Sequence, residues 1–270
     1  MSAVTADARR DGTTAGAGAS LRNACAAEWT KLWSLRSTWW ALAVSVGLTG
    51  IMTFTLGRSV VDNNTNTLTS DDQGVVSVSG TALGAVDLVQ FVPIALAILA
   101  MTGEYASGTI RPTLTWVPPR GRVLAAKALV ITAVVVPLGL LLGALGTLAA
   151  GVALGDWGRF NWADASSDVL SLTVYLVLIC VFTLGLATLL RSTAGALTTA
   201  FLGLLAAPML LTGPVVTRPL AQSLPSSAGR TFMGIAEDAP YPGSVGLLVL
   251  VAWTAAALLA ARYILTRRDA

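Results

Sequence analysis

The chain of 270 residues contains no histidine, and that absence closes off several kinds of chemistry. Imidazole metal sites, Ser-His and Cys-His nucleophile pairs and an HExxH metalloprotease helix all need the missing side chain. Lysine is nearly as scarce. Lys31 and Lys127 are the only two, and neither sits in the GxxxxGK[ST] pattern that wraps nucleotide phosphates: Lys31 follows Trp29 and Thr30, and Lys127 follows Ala125 and Ala126. Both lysines fall at the edges of apolar runs, away from membrane-embedded serines, which argues against a Ser-Lys pair. Gly16 and Gly18 lie in a low-complexity stretch with no strand ahead of them, so they form no dinucleotide fingerprint. The chain is therefore expected to be non-catalytic, with no metal or cofactor of its own. The two cysteines, Cys25 and Cys180, belong to segments at different depths and are not expected to pair.

Charge is the next scarcity. Charged residues make up 11% of the chain against 54% hydrophobic, and mean hydropathy is +0.73, whereas about a quarter of an ordinary soluble domain is charged. The charges collect between apolar runs long enough to cross about 30 Å of hydrocarbon. These runs are Trp39 to Gly57, Leu83 to Thr102, Leu124 to Leu154, Val169 to Leu190, Ala194 to Gly213 and Ser244 to Ala261. They predict an all-α integral membrane protein with six transmembrane helices. The third run exceeds one span, so its first residues are read as a cytoplasmic or interfacial turn, with tilt absorbing the remainder.

Basic residues resist translocation, and they divide unevenly between the two sides. One side holds Arg9, Arg10, Arg22, Lys31, Arg36, Arg111, Arg120, Arg122, Lys127, Arg191, Arg262, Arg267 and Arg268, which is 13 of the 17. The other holds Arg58, Arg159, Arg218 and Arg230 among a majority of the acidic residues. The first side is expected to be cytoplasmic, which places both termini there and the chain in the inner cell membrane. The net charge of +3 is spread over separate loops and forms no nucleic-acid face. Trp39, Trp40, Trp116, Trp157, Trp162 and Trp253 fall near expected span ends, where headgroup anchoring is the default role.

Residues 1–20 are rich in Ala, Gly, Thr and Ser and are expected to be a disordered cytoplasmic tail. Residues 21–38 read as an amphipathic interfacial helix, and 39–270 as the six-helix domain. At 100° per residue, Leu21, Cys25, Trp29, Leu32, Trp33 and Leu35 gather on one side, opposite Asn23, Thr30, Lys31 and Ser34. Glu28, Arg22 and Arg36 intrude on the apolar margin and call for snorkelling. The helix suits either a lipid anchor or a contact with a partner.

The loop after the second run reads MTGEYASGTIRPTLTWVPPRGRVLAAKALV. Glu104, Gly108 and Arg111 recur at i, i+4 and i+7, and Pro112 disfavours helix at the residue before it, so a short helix is expected from about Thr102 to Arg111. Pro118, Pro119 and Gly121 predict a turn, after which Arg120, Arg122 and Lys127 flank the return to the membrane. In this order Glu104, Gly108 with Thr109, Pro119 with Arg120, and Lys127 resemble the signature of the ABC type-2 exporter permeases. Ala26 to Leu42 is similar to that family's interfacial helix, and Leu224 to Gly229 to its outer segment before the last span. Tyr105 stands where many members carry a second charged residue.

The resemblance implies two permease copies, identical or different, driven by two ABC ATPase subunits that hold the ATP and Mg. Glu104, Gly108, Thr109, Arg111, Arg120 and Lys127 would couple to the ATPase, with Trp29, Lys31, Leu32, Trp33 and Arg36 on the interfacial helix beside them. The path would run between permease copies along the second and fifth spans, with Asp87, Gln90, Phe91, Thr198, Thr199 and Phe201 as candidates. Helix packing competes with substrate contact for each of these. The implied function is export of a hydrophobic drug, antibiotic or lipid. Secondary transport and a non-transporting scaffold or sensor role are the alternatives. Gly139 and Gly143 form a small-xxx-small pair read as a packing seam, and Pro93, Pro137 and Pro208 are possible kinks.

Overall fold

The structure, a computed structural model, describes residues 8–66, 72–108, 120–211, 216–236, 239 and 241–267. Six helical stretches among them are long and apolar enough to cross a membrane: Arg36–Thr65, Val78–Ala106, Gly121–Trp157, Trp162–Leu190, Thr193–Leu211 and Gly243–Arg267. The chain is an all-α membrane protein with these as spans 1 to 6.

Helix α1 covers Ala8–Ser34, so the backbone is helical well ahead of the Leu21 boundary expected from composition. Leu35 then takes an extended conformation, φ −88° and ψ 124°, and α2 begins at Arg36. Thr38 closes the break by donating from Oγ1 to the Leu32 carbonyl at 2.6 Å. Span 1 is α2, Arg36–Thr65, which continues past the expected end at Gly57.

Span 2 is segmented into α3 (Val78–Leu83), α4 (Val86–Val89) and α5 (Phe91–Ala106). Its breaks fall at Gly84, Ala85 and Gln90, the last shortly before Pro93, which has no N–H to continue the ladder. The separate loop helix from Thr102 to Arg111 does not form as expected. Instead α5 continues span 2 as far as Ala106, and Gly108 adopts φ +70°, a left-handed turn that glycine takes without strain. Gly108 therefore leaves the helical face on which Glu104 lies. Thr109, Arg111, Trp116, Pro118 and Pro119 lie outside the described residues.

Span 3 corrects a second expectation. Helix α6 runs without interruption from Arg120 to Leu154, passing through Pro137, so there is no turn at its start. Its far end joins span 2 through a parallel pair of two-residue strands, β1 (Val76–Ser77) and β2 (Gly158–Arg159). Span 4 is α7, Trp162–Leu190, and its Leu172, Tyr175, Leu176, Ile179 and Leu184 form the centre of the core. The seam expected at Gly139 and Gly143 packs against α7: added Cβ atoms would lie 2.9 Å from Thr173 Cα and 3.0 Å from a Val169 methyl. Gly185 brings α7 equally close to Ala257 on span 6, and Gly57 brings span 1 against Ala153. Small residues thus set the helix spacing, as they do where no water drives association.

Span 5 consists of α8 (Thr193–Phe201), one π-helical stretch (Leu202–Ala206) and α9 (Ala207–Leu211), with Pro208 just after the π segment. Helices α10 (Arg218–Gln222) and α11 (Pro225–Phe232) follow, and α12 (Gly243–Arg267) forms span 6. Trp253 donates its indole N–H to the Ser223 carbonyl at 2.8 Å, ten residues along from Gly243. At 1.5 Å of rise per residue, the α10–α11 turn therefore dips roughly 15 Å beside span 6. Trp253 lies midway along span 6, exposed on its surface as a partner of this hairpin, away from the span end expected for it. Helix α11 then climbs back, with Gly246 pressed against Ala228 and Phe232. Six crossings place α1 and the end of α12 at one end of the bundle, the termini end, and the hairpin at the other.

Candidate functional site

Four charged side chains meet at the termini end, brought by three elements. On α1, Ala24, Glu28 and Leu32 recur every four residues, and each is at most 9% exposed. This stripe faces the bundle, while Trp29 on the expected apolar side is 43% exposed. The last turns of α5 contribute Glu104, and the early turns of α6 contribute Lys127.

Lys127 is only 2% exposed. Its Nζ donates to Glu28 Oε2 at 2.6 Å, to Glu104 Oε1 at 2.8 Å and to the Ala100 carbonyl at 3.0 Å. An ammonium has three donors, so this one is saturated. Lys31 Nζ bonds the same two carboxylates, Glu28 Oε1 at 3.0 Å and Glu104 Oε1 at 2.9 Å, while its side chain stays 47% exposed. Two positive and two negative groups balance, which offsets the desolvation of each ion. The arrangement ties residue 28 to 127 and 104, and so fastens α1 to the paired ends of spans 2 and 3. Glu104 Oε2, also buried, has no donor.

Burial acts to lower the Lys31 pKa, but the hydrogen bonds to Glu104 and Glu28 and their charges together hold it above its ordinary 10.5. Beside the cluster, Tyr105 faces the Arg191 guanidinium, whose carbon lies 5.4 Å from the ring centre. Arg191 caps α7 with a left-handed φ of 52°. Tyr105 thus receives a cation instead of supplying a charge. Thr193 Oγ1 donates to Thr102 Oγ1 at 2.8 Å, linking the start of span 5 to the end of span 2.

Of the expected coupling residues, Glu104 and Lys127 come together from α5 and α6, and Gly108 makes the turn just after α5. Arg120 begins α6, while Thr109 and Arg111 lie outside the described residues. Of the residues expected on the interfacial helix, Lys31 belongs to the cluster and Leu32 is buried beside it. Trp33 stacks with Trp29 and Trp39 at centroid distances of 5.6 and 4.9 Å, and Arg36 is exposed. Glu28 had stood out in sequence only as a charge inside an apolar stripe.

The expected path residues divide. Asp87 pairs with Arg230 of α11 and lines a cavity of about 390 Å³ with Pro208, Arg218 and Ser226 at the hairpin end. Gln90 is fully buried and accepts a 2.5 Å hydrogen bond from the Tyr175 hydroxyl, so it holds span 2 to span 4. Phe91 meets Phe201 at a centroid distance of 5.6 Å, while Thr198, Thr199 and Phe201 lie on the exposed side of span 5. Arg230 and Tyr175 carried no sequence signal, because their partners lie 143 and 85 residues away. Among the described residues no group of three or more His, Cys, Asp or Glu side chains is placed to hold a metal. No protein-family model matches the chain, and no curated protein matches it either.

Proposed function

We propose that the chain is the transmembrane permease subunit of an ATP-binding-cassette exporter, moving a hydrophobic substrate out of the cytoplasm or the inner leaflet. Separate ATPase subunits bind the ATP and Mg. The termini lie in the cytoplasm, the membrane is the inner cell membrane, and α1 rests at its interface. The observation that carries this reading is the Glu28–Lys31–Glu104–Lys127 cluster at the base of the loop whose residues resemble the exporter signature. A push on that loop is delivered to α1, α5 and α6 together, because one saturated ammonium joins all three. The rocking of spans 2 and 3 then opens the path toward the other face. Span 5 is the least buried of the six, which supports a second permease copy against its Thr198, Thr199 and Phe201 side.

Purification from native membranes tests the proposal. A phosphate-loop ATPase is expected to accompany the chain, with ATP turnover that responds to exported compounds. Glu104→Gln is expected to keep the ATPase bound and weaken that response. Substrate flux that follows an ion gradient, with no nucleotide-hydrolysing partner, overturns the reading in favour of secondary transport.

A further inference from the structure

The cavity of about 390 Å³ at the hairpin end lies between span 5 and the α10–α11 hairpin, with Asp87 of span 2 in its wall. Its apolar side is Leu204, Leu205, Pro208 and Met209, all from span 5. Pro208 shapes that side. In an α-helix its ring would press on the carbonyl four residues back, and the wider π turn over Leu202–Ala206 gives it room. Ala207 accordingly donates to the Leu202 carbonyl, five residues back.

The facing side is polar, and helical spacing builds it. Arg218 and Gln222 share one face of α10, while Ser226, Ser227, Arg230 and Thr231 share one face of α11. Helix α10 descends from Arg218 and α11 climbs back past Arg230, so both arginines belong to the shallow half of the hairpin. Arg230 donates from Nη1 to Asp87 Oδ2, which uses one of its five N–H groups. Its side chain keeps 37% of its surface, and none of its nitrogens is buried without a partner, so the unused donors are open to an incoming acceptor. Arg218 adds a second positive charge, and Asp87 is the single carboxylate among the described residues of the wall. The Ser227 and Thr231 hydroxyls and the Gln222 amide are further groups able to donate to an oxygen anion. An anionic head near the arginines and a hydrocarbon body along span 5 match the two sides together.

We infer that this cavity binds a monoanionic amphiphile, one phosphate or carboxylate on a hydrocarbon body. The head accepts from the open edge of Arg230, in the field of Arg218, and the body runs past Met209 and Pro208 to Leu204 and Leu205, deeper in the bilayer. Asp87 is the head's rival, since both are acceptors for one guanidinium. Phosphatidylglycerol from the bilayer and a single-chain acid share this chemistry.

The test places the full chain in phosphatidylcholine nanodiscs at neutral pH. Hexadecyl phosphate, hexadecanol and hexadecylammonium, each with a diazirine in the chain, are photolysed in turn, and labelled peptides are identified by mass spectrometry. Labelling of residues 202–211 by the phosphate is expected to exceed that by the alcohol about ten-fold, the difference one charge-assisted hydrogen bond supplies. The ammonium is expected to label no more than the alcohol. Arg230→Gln should bring the phosphate down to the alcohol's level, and Arg230→Lys should keep part of the excess. Asp87→Asn should raise phosphate labelling, because the rival acceptor is gone. Arg58→Gln, an exposed arginine on span 1, should leave it unchanged. Unlabelled phosphatidylglycerol that displaces the probe identifies the lipid as the source, and labelling that survives it identifies the single-chain acid. Equal labelling by the three heads overturns the inference. So does a loss shared by Arg230→Gln and Asp87→Asn, which would mean that the pair only holds the hairpin. The readout needs no ATPase, so failure here leaves the exporter proposal standing, and the reverse also holds.

Discussion

At the termini end, Lys127 is 2% exposed with three oxygen partners, whereas at the hairpin end the Asp87 and Arg230 side chains keep 33% and 37% of their surface accessible. Both are ion pairs joining span 2 to another element, yet their energetics differ. An accessible pair exchanges water for a partner at little net gain, so it forms and breaks readily. A buried, saturated group has no alternative partner, and removing one member strands the rest. The cluster therefore behaves as a fixed joint and the Asp87–Arg230 contact as a separable one. The permease action proposed above, rocking about the termini end and parting at the hairpin end, would need that division.

The strongest way to break the comparison is Lys127→Met. It leaves Glu28 and Glu104 facing each other with Lys31 as their only cation, and a loss of about 3–5 kcal/mol is expected. Thermal unfolding in detergent, followed by tryptophan fluorescence, reads this as a large drop in midpoint. Combining Lys127→Met with Glu28→Gln and Glu104→Gln is expected to recover part of the loss, since no stranded carboxylate remains. A Lys127→Met midpoint no lower than that of Asp87→Asn would show that the cluster is no joint.

Next in size is Gly229→Ala, which tests whether the hairpin is seated as firmly as the joint at the termini end. An added Cβ would come within 2.1 Å of the Tyr175 ring, in the middle of the core. Overpacking of this kind costs about 1–3 kcal/mol. Tyr175→Ala would lower stability alone but is expected to relieve the Gly229→Ala penalty in a double-mutant cycle. Additive effects would mean that the two residues do not touch.

Asp87→Asn should cost no more than about 1 kcal/mol, and the difference should shrink further in high salt. Its larger effect is expected on motion: with Cys25 and Cys180 replaced by Ser, a bromobimane label on the thiol of Ser227→Cys, in the same cavity, should become more accessible to aqueous quencher. Unchanged quenching would mean that the pair does not hold the hairpin.

These contrasts rest on features that were unequally legible in the sequence. The six spans follow from runs of apolar residues, which a single strand of text displays directly. The Gly139 and Gly143 seam was readable for the same reason, since its spacing is local. Span 2 was not readable past Thr102, because the turn that ends its helix depends on the left-handed Gly108 rather than on Pro112. The cluster was half visible. Glu104 and Lys127 drew attention through the loop pattern, but Glu28 joins them from 99 residues before Lys127, and no periodicity links the two. Its sole trace was a carboxylate on the apolar stripe of α1, explained there by snorkelling and in the structure by a buried ammonium.

The smallest effect separates the two lysines of the cluster by pH. Lys31 keeps 47% of its side chain exposed, so solvent screens its share, and Lys31→Gln should cost under about 1 kcal/mol. Since Glu104 and Glu28 hold its folded pKa above 10.5, the folded chain binds this proton more tightly than the unfolded chain. Its contribution is then complete below the unfolded value and is lost as pH rises through the raised one. The midpoint difference between the parent and Lys31→Gln should stay flat from about pH 6 to about pH 9 and close only above about pH 10.5. A difference that closes near neutral pH would mean that Lys31 is held by burial alone and its carboxylate partners are elsewhere.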